Sequence, residues 1–193
     1  EASIVSRTIG RHARVWRFLY RTMYKRADVV ICQSKAMLED LRDRFAVPAS
    51  KMIQIYNPVD IGAIRDKADD ADNPFRGENG TNLIAIGRLS PEKGFDRLIE
   101  AFPKLLAIRP EARLWLIGTG AGEAQLVELR DRLGLQERVF FAGFQDNPFA
   151  WLKHADLFVL SSHYEGLPNA LLEAIALGCP VLTLEHPGGT EEI

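Results

Sequence analysis

Residues 155–184 read "ADLFVLSSHYEGLPNALLEAIALGCPVLTL". The runs "DLFVLSS" and "PVLTL" are short and apolar without alternation, as strands buried on both faces are, and "NALLEAIALG" between them has helical character. Strand, helix and strand in this order make one βαβ passage of a parallel sheet. The turn before the helix holds Gly166, Leu167, Pro168 and Asn169, with Glu165 and Glu173 on either side.

The same alternation runs upstream. Strand "NLIAIGR", helix "FDRLIEAFPKLLAIR", strand "RLWLIGT", helix "AQLVELRDRLG", strand "RVFFAG" and helix "PFAWLKHA" follow one another from residue 82. The fold class is therefore α/β: a Rossmann-like, doubly wound parallel sheet covered on both faces. Pro103 inside its helix predicts a kink or break. Before this region, residues 61–81 turn polar, with "RDKADDADNPFRGENG" lacking an apolar period, and read as a linker. Further upstream, "ADVVICQS" is a short buried strand, Ser34 an N-cap for the helix "KAMLEDLRDRF", and "KMIQIY" a strand that Asn57 and Pro58 end. Residues 7–26 form a basic amphipathic helix, with Arg7, Arg11, Arg14, Arg21 and Lys25 on one stripe and Trp16, Leu19, Tyr20 and Met23 opposite. Its apolar face either packs on a domain or approaches anionic lipid headgroups.

Composition narrows the function. The chain has 193 residues, 47% of them hydrophobic, and a formal charge of -2, so no global field draws it to nucleic acid. No stretch reaches the roughly 18 to 20 apolar residues of a membrane span. Cys32 and Cys179 are far apart with no CxxC or Cys/His spacing, which fits a reducing cytosol and argues against zinc. The chain starts at Glu1 and stops in "GGTEEI", the first turn of a helix, and so reads as a fragment.

Open parallel sheets bind ligands beyond the carboxyl ends of their strands. The loops that fall there are "GRLSPEKG", "GTGAGE", "GFQDNP", "SSHYEGLPN" and "EHPGGTEE". Arg88 and Lys93 share the first, where two cations and a helix N-terminus suit a phosphate or diphosphate; the bland alternative is a pair of solvated surface cations. "GTGAGE" is neither a P-loop nor GxGxxG, and its glycines serve either a tight turn or close approach of a ligand. Glu165 follows its strand and can accept from sugar hydroxyls. Glu173, a turn into the helix, can grip a vicinal diol such as a ribose.

Taken together, "GRLSPEKGFDRLIEAF", "LIGTGAGEAQL", "VFFAGFQDNP" and "ADLFVLSSHYEGLPNALLEAIALGCPV" resemble the C-terminal, donor-binding half of retaining GT-B glycosyltransferases of the family-4 group, and "EGLPNALLE" resembles their E-x7-E motif. The resemblance covers residues 81–193. It implies one incomplete half of a two-domain architecture: residues 1–56 as the end of the acceptor-side domain, 57–80 as the interdomain linker, and 81–193 as the donor domain. It also implies roles. Arg88 and Lys93 hold the diphosphate of a nucleotide-sugar, Glu173 holds the ribose, and Glu165 faces the sugar as nucleophile or orienting group. Gly166, Leu167 and Asn169 lie around phosphates and sugar, and main-chain groups near Phe141, Gly143 and Phe144 flank the base. No cofactor and no metal are expected, and the donor is expected to be a UDP-sugar.

The acceptor is expected to be a glycan or lipid-linked, in cell-envelope polysaccharide or lipopolysaccharide synthesis, with the protein cytoplasmic or peripheral on the inner membrane face. Two departures stand out: Leu167 and Pro168 replace the common Phe-Gly, with Pro168 unable to donate an N–H, and "NPVD" replaces "NGVD". None of His12, His154, His163 and His186 matches the family's catalytic histidine, which belongs to the acceptor-side domain. A nucleotide-sugar binding module without transfer, or a 2-epimerase on the same fold, are the alternatives.

Overall fold

The structure, a computed structural model, describes residues 13–77 and 80–193. Its contacts divide into two compact units. The first comprises the chain up to Pro58 with Tyr164–Pro168 and His186–Ile193; the second comprises Val59–His163 and Asn169–Glu185.

In the first unit, α1 (Ala13–Met23), β1 (Val30–Cys32), α2 (Lys35–Phe45) and β2 (Met52–Gln54) follow in order, and β1 and β2 pair in parallel. Ser34 caps α2 as expected, its hydroxyl accepting from Met37 N–H at 3.1 Å. Ala46, at φ 52°, closes the helix in the left-handed region. Cys32, Leu41, Phe45 and Met52 form the core. Tyr20 meets Phe45 edge-on at 5.5 Å and stacks on Tyr24 at 5.3 Å, which ties α1 to this core. Met23, expected on the packed side, is exposed, as are Val15 and Phe18. Residues 7–12 of the expected basic helix, and the side chains of Arg14, Trp16 and Lys25, lie outside the described residues.

The second unit is built on a parallel five-stranded sheet in the order β5-β4-β3-β6-β7. Its elements are α3 (Ile61–Asp69), β3 (Asn82–Ile86), α4 (Phe95–Leu106), β4 (Arg113–Ile117), α5 (Glu123–Arg132), β5 (Val139–Gly143), α6 (Phe149–His154), β6 (Leu157–Leu160), α7 (Asn169–Ala176) and β7 (Val181–Thr183). Side chains alternate across the pleat, so successive residues of one strand serve opposite layers. Leu83 and Ala85 join Leu114 and Leu116 under Phe95, Ile99 and Phe102 of α4 and Leu126 and Leu129 of α5. Ile84 instead faces Phe158, Leu160, Leu152, Leu171 and Ala174 on the other side. Each fully buried side chain of this kind contributes roughly 1.5–3 kcal/mol, enough to override weak local propensities.

One local expectation is corrected, and of the kink or break expected at Pro103 the break is excluded. The stretch expected to be a linker without apolar period contains α3, which Asp60 caps by accepting from Ala63 N–H at 2.9 Å and which buries Ile64 and Ala68. It is anchored from outside: Asn147 Nδ2 donates to Lys67 O at 2.8 Å and Lys153 pairs with Asp69 at 2.7 Å. Phe75, in the same stretch, is buried against Trp115 and Trp151. Pro103 does not end α4. It stands on the exposed side of the last turn while Ile99 and Phe102 hold the buried stripe. No described helix is long and apolar enough to cross a membrane.

Candidate functional site

The chain builds β3, β4 and β5 outward, then crosses to β6 and β7 on the other side, so the strand order reverses between β3 and β6. At such a switch point the loops diverge and leave a crevice beyond the carboxyl ends of the strands. The loop after β3 carries Arg88 and Lys93, and it is braced from two directions.

On the β4 side, Gly87 N–H donates to Ile117 O at 2.9 Å and Leu89 N–H to Thr119 O at 3.0 Å, prolonging the ladder into the loops. A Cβ at Gly118 or Gly120 would overlap the carbonyls of Gly87 and Leu89, so these glycines of "GTGAGE" let two backbones pack together. On the β6 side, the 3-10 turn Pro91–Lys93 is held by Ser161 Oγ donating to Lys93 O at 2.9 Å and His163 N–H to Glu92 O at 2.8 Å. Gly94 closes the turn at φ 62° with its Cα against Ser161 O.

These braces fix the path of the loop that carries the cations. The Lys93 stem runs past Gly87, where an added Cβ would sit 3.4 Å from Cδ and Cε, and Arg88 is exposed on the same loop. Glu92 lies between them. Burial pushes its carboxyl up, but the Ser90 hydroxyl at 2.6 Å, its own backbone N–H and the charges of Arg88 and Lys93 outweigh that and hold it below the usual range. One carboxylate thus opposes two cations, and the loop keeps a positive excess.

Arg88 borders a cleft of about 380 Å³ whose other walls include Thr119, Phe144, Gln145 and Pro148. Phe144 reaches it because β5 ends in a bulge: Phe141 pairs with Leu116 and Gly143 with Ile117, leaving Ala142 extra, and Gly143 turns the chain at φ 68°. The side chain of Phe141 goes elsewhere, packing on the core under the Arg130 guanidinium at 5.5 Å. A larger groove of about 540 Å³ lies between α4 and α5, but Asp96, Glu100 and Glu128 line it against the one cation Arg132, which disfavours a phosphate.

Asn169 opens α7 and is exposed, while Glu173 is half-buried on the same helix. Burial pushes the Glu173 carboxyl up, and among the described residues no side chain donates to it. His163 does not stand free: Arg97 Nη1 donates to its Nδ1 at 3.2 Å, which gives it a structural tie to the helix after the cationic loop.

Glu165, Gly166 and Leu167 group with the first unit. Glu165 N–H donates to Pro187 O at 3.3 Å and Gly189 N–H to Gly166 O at 2.8 Å, so this loop and the 186–189 segment run as a short parallel pair. Leu167 is buried, and its carbonyl accepts from Asn57 Nδ2 at 3.5 Å. Gly188 sits at φ 142° with its Cα against Glu165 O. His186 is buried, with Nδ1 3.2 Å from Pro187 O and Nε2 3.1 Å from the Thr190 hydroxyl. The sequence reading missed the residue that gathers most here, Glu192. Its carboxylate accepts from Lys35 N–H at 2.7 Å, Ala36 N–H at 3.2 Å, Gln54 Nε2 at 2.9 Å and the Tyr56 hydroxyl at 3.0 Å. Only the paired glycines at 188 and 189 hint at it in the sequence.

The doubly wound parallel sheet of the second unit is Rossmann-like. The chain belongs to the glycosyl transferases group 1 family, whose model matches residues 66–193; the model described as Glycosyltransferase Family 4 matches residues 4–62. It is similar to an N-acetylgalactosaminyltransferase of Campylobacter jejuni acting on a diphospho-undecaprenol acceptor, with 30% identity over 92% of this chain and 47% of that protein. It is also similar to the lipopolysaccharide core biosynthesis glycosyltransferase LpsE of Rhizobium meliloti, with 32% identity over 86% and 46%. The crystal structure of Anabaena HepE in complex with UDP superposes with a TM-score of 0.79 at 26% identity, covering 94% of this chain and 51% of HepE. The chain spans about half the length of the curated relatives it matches.

Proposed function

We propose that this chain is the donor-side part of a retaining hexosyltransferase of the family-4 type. It takes a hexose from a UDP-sugar and passes it to a glycan or lipid-linked acceptor of the cell envelope, with no metal. The observation that carries this reading is the braced loop at the switch point, which holds Lys93 and, at the edge of a cleft, Arg88. Two cations on a braced loop suit a leaving diphosphate, whose charge grows as the bond to the sugar breaks and is stabilised by donors already in place. Glu173 is assigned to the ribose hydroxyls, which supply the donors its carboxylate lacks. Glu165 is assigned to the sugar, and the backbone of Gly166, Leu167 and Asn169 to phosphates and sugar, with Pro168 contributing no N–H. Main chain at Phe141, Gly143 and Phe144 is assigned to the base. UDP in HepE and the diphospho-undecaprenol acceptor of the Campylobacter enzyme support the donor and acceptor classes.

The protein is placed by this reading at the cytoplasmic face of the membrane, with α1 as the point of contact: Val15, Phe18 and Met23 are exposed on a helix that also bears Arg21. Replacing its arginines is expected to abolish sedimentation with anionic liposomes.

Thermal unfolding with UDP, GDP and ADP tests the donor assignment. A nucleotide at about 100 times its Kd adds roughly 2.7 kcal/mol, which raises the midpoint of a domain this size by about 5–10 °C. A shift with UDP that Glu173→Ala removes is the expected result. No shift with any of the three overturns the reading.

A further inference from the structure

Glu192 lies in the span matched by the group 1 model, whereas Lys35, Ala36, Gln54 and Tyr56 lie in the span matched by the family-4 model. Its carboxylate is therefore a long-range tie inside the first unit. The first turn of α2 has free N–H groups that its own helix cannot satisfy, and an anion is favoured there. Ser34 satisfies that of Met37, and Glu192 takes those of Lys35 and Ala36, while Gln54 and Tyr56 hold the same carboxylate from the end of β2.

The residues just before that turn touch the loop that carries Glu165. A Cβ added at Gly166 would lie 3.3 Å from Gln33 Oε1, and one at Gly189 would lie 2.6 Å from Ser34 Cβ. Gly189 in turn donates to Gly166 O. A continuous set of contacts thus leads from Glu192 through Lys35 and Ser34 to Gly189, Gly166 and Glu165.

We infer that Glu192 is a positioning residue: docked on the N-terminus of α2 and on the end of β2, its carboxylate holds the turn at Gln33 and Ser34 against the 165–167 loop and fixes where that loop presents its groups. The catalytic consequence rests on the transfer reading above. Because Arg88, Lys93 and Glu173 belong to the second unit, loss of the tie is expected to weaken the nucleotide only through the backbone of Gly166 and Leu167, and to slow transfer by a larger factor.

The test measures amide hydrogen exchange, nucleotide Kd and transfer kinetics in the protein expressed from its complete gene. In Glu192→Ala, exchange at the amides of Glu165 and Gly189 is expected to rise at least about tenfold while the β3 and β4 amides stay protected. kcat is expected to fall about tenfold or more with nucleotide Kd within about threefold. Glu192→Gln keeps an oxygen for the two helix N–H groups and is expected to recover most of both. Tyr56→Phe removes one bond without disturbing the core and serves if the alanine variant does not fold; it is expected to give a smaller rise in the same two amides. Unchanged exchange at Glu165 and Gly189 overturns the inference, as does a glutamine variant no better than alanine. So does a fall in kcat matched by an equal loss of nucleotide affinity. If the unmodified protein binds no nucleotide, the transfer reading fails, and the exchange arms still decide the tie.

Discussion

Glu173 and Glu192 sit in different units and differ in what surrounds them. Glu173, on α7 of the second unit, is half-buried with no described side chain donating to it, and burial pushes its carboxyl up. Glu192 also loses water, which pushes its carboxyl up, but the backbone N–H groups of Lys35 and Ala36 and the side chains of Tyr56 and Gln54 outweigh this and hold it below the usual range. One carboxylate has its donors built in; the other lacks them. The difference separates a carboxylate whose donors are supplied by the fold from one that the donor reading pairs with ribose hydroxyls.

If the second unit is where charge is met by ligand, its cations should matter most. Lys93→Ala is expected to lower kcat about 10²–10³-fold, the loss seen when one fixed donor to a developing charge is removed, with a smaller change in nucleotide Kd. Single-turnover transfer from a labelled UDP-sugar measures it. Retained turnover would mean that the braced loop merely exposes solvated cations.

Next in size, Glu173→Ala is expected to weaken UDP by about 1.5–3 kcal/mol, the range for hydrogen bonds to a charged group. Calorimetry with UDP and with inorganic diphosphate sharpens the assignment. The substitution should weaken UDP and spare diphosphate, because only the nucleotide brings ribose hydroxyls. Equal losses for both would move Glu173 from the ribose to the phosphates.

Much of this was legible in the sequence because the strands are buried on both faces and so read as unbroken apolar runs, which fix the order of loops at the switch point. The loop that carries Arg88 and Lys93 and the helix that carries Glu173 were located that way, after a strand and within a helix. α3 was not, since only Ile64 and Ala68 of it are buried and its anchors, Asn147 and Lys153, are 80 and 84 positions away. The tie of Glu192 to Lys35 spans 157 positions and leaves no periodic trace. Phe144 shows a further limit: the loop position was legible, but its place at the cleft depends on the bulge at Ala142.

The same contrast predicts opposite effects of pH, smaller than those above. Glu173 has a raised folded pKa, so its favourable contribution is complete below the ordinary glutamate value and is lost as pH rises through the folded one. Glu173→Gln removes the cost of the buried charge, and the unliganded protein is expected to melt slightly higher at neutral pH, with the gain vanishing toward pH 4.

Glu192 has a depressed folded pKa, so its contribution is complete above the ordinary glutamate range and is lost as pH falls below that range through the folded value. Glu192→Gln should therefore lower the melting midpoint at neutral pH and converge with the unmodified protein in acid, the reverse of the Glu173 variant. Paired melting curves from neutral to acid pH, without ligand, measure both at once. Two variants that shift in the same direction across that range would erase the distinction between the carboxylate that has its partners and the one that waits for them.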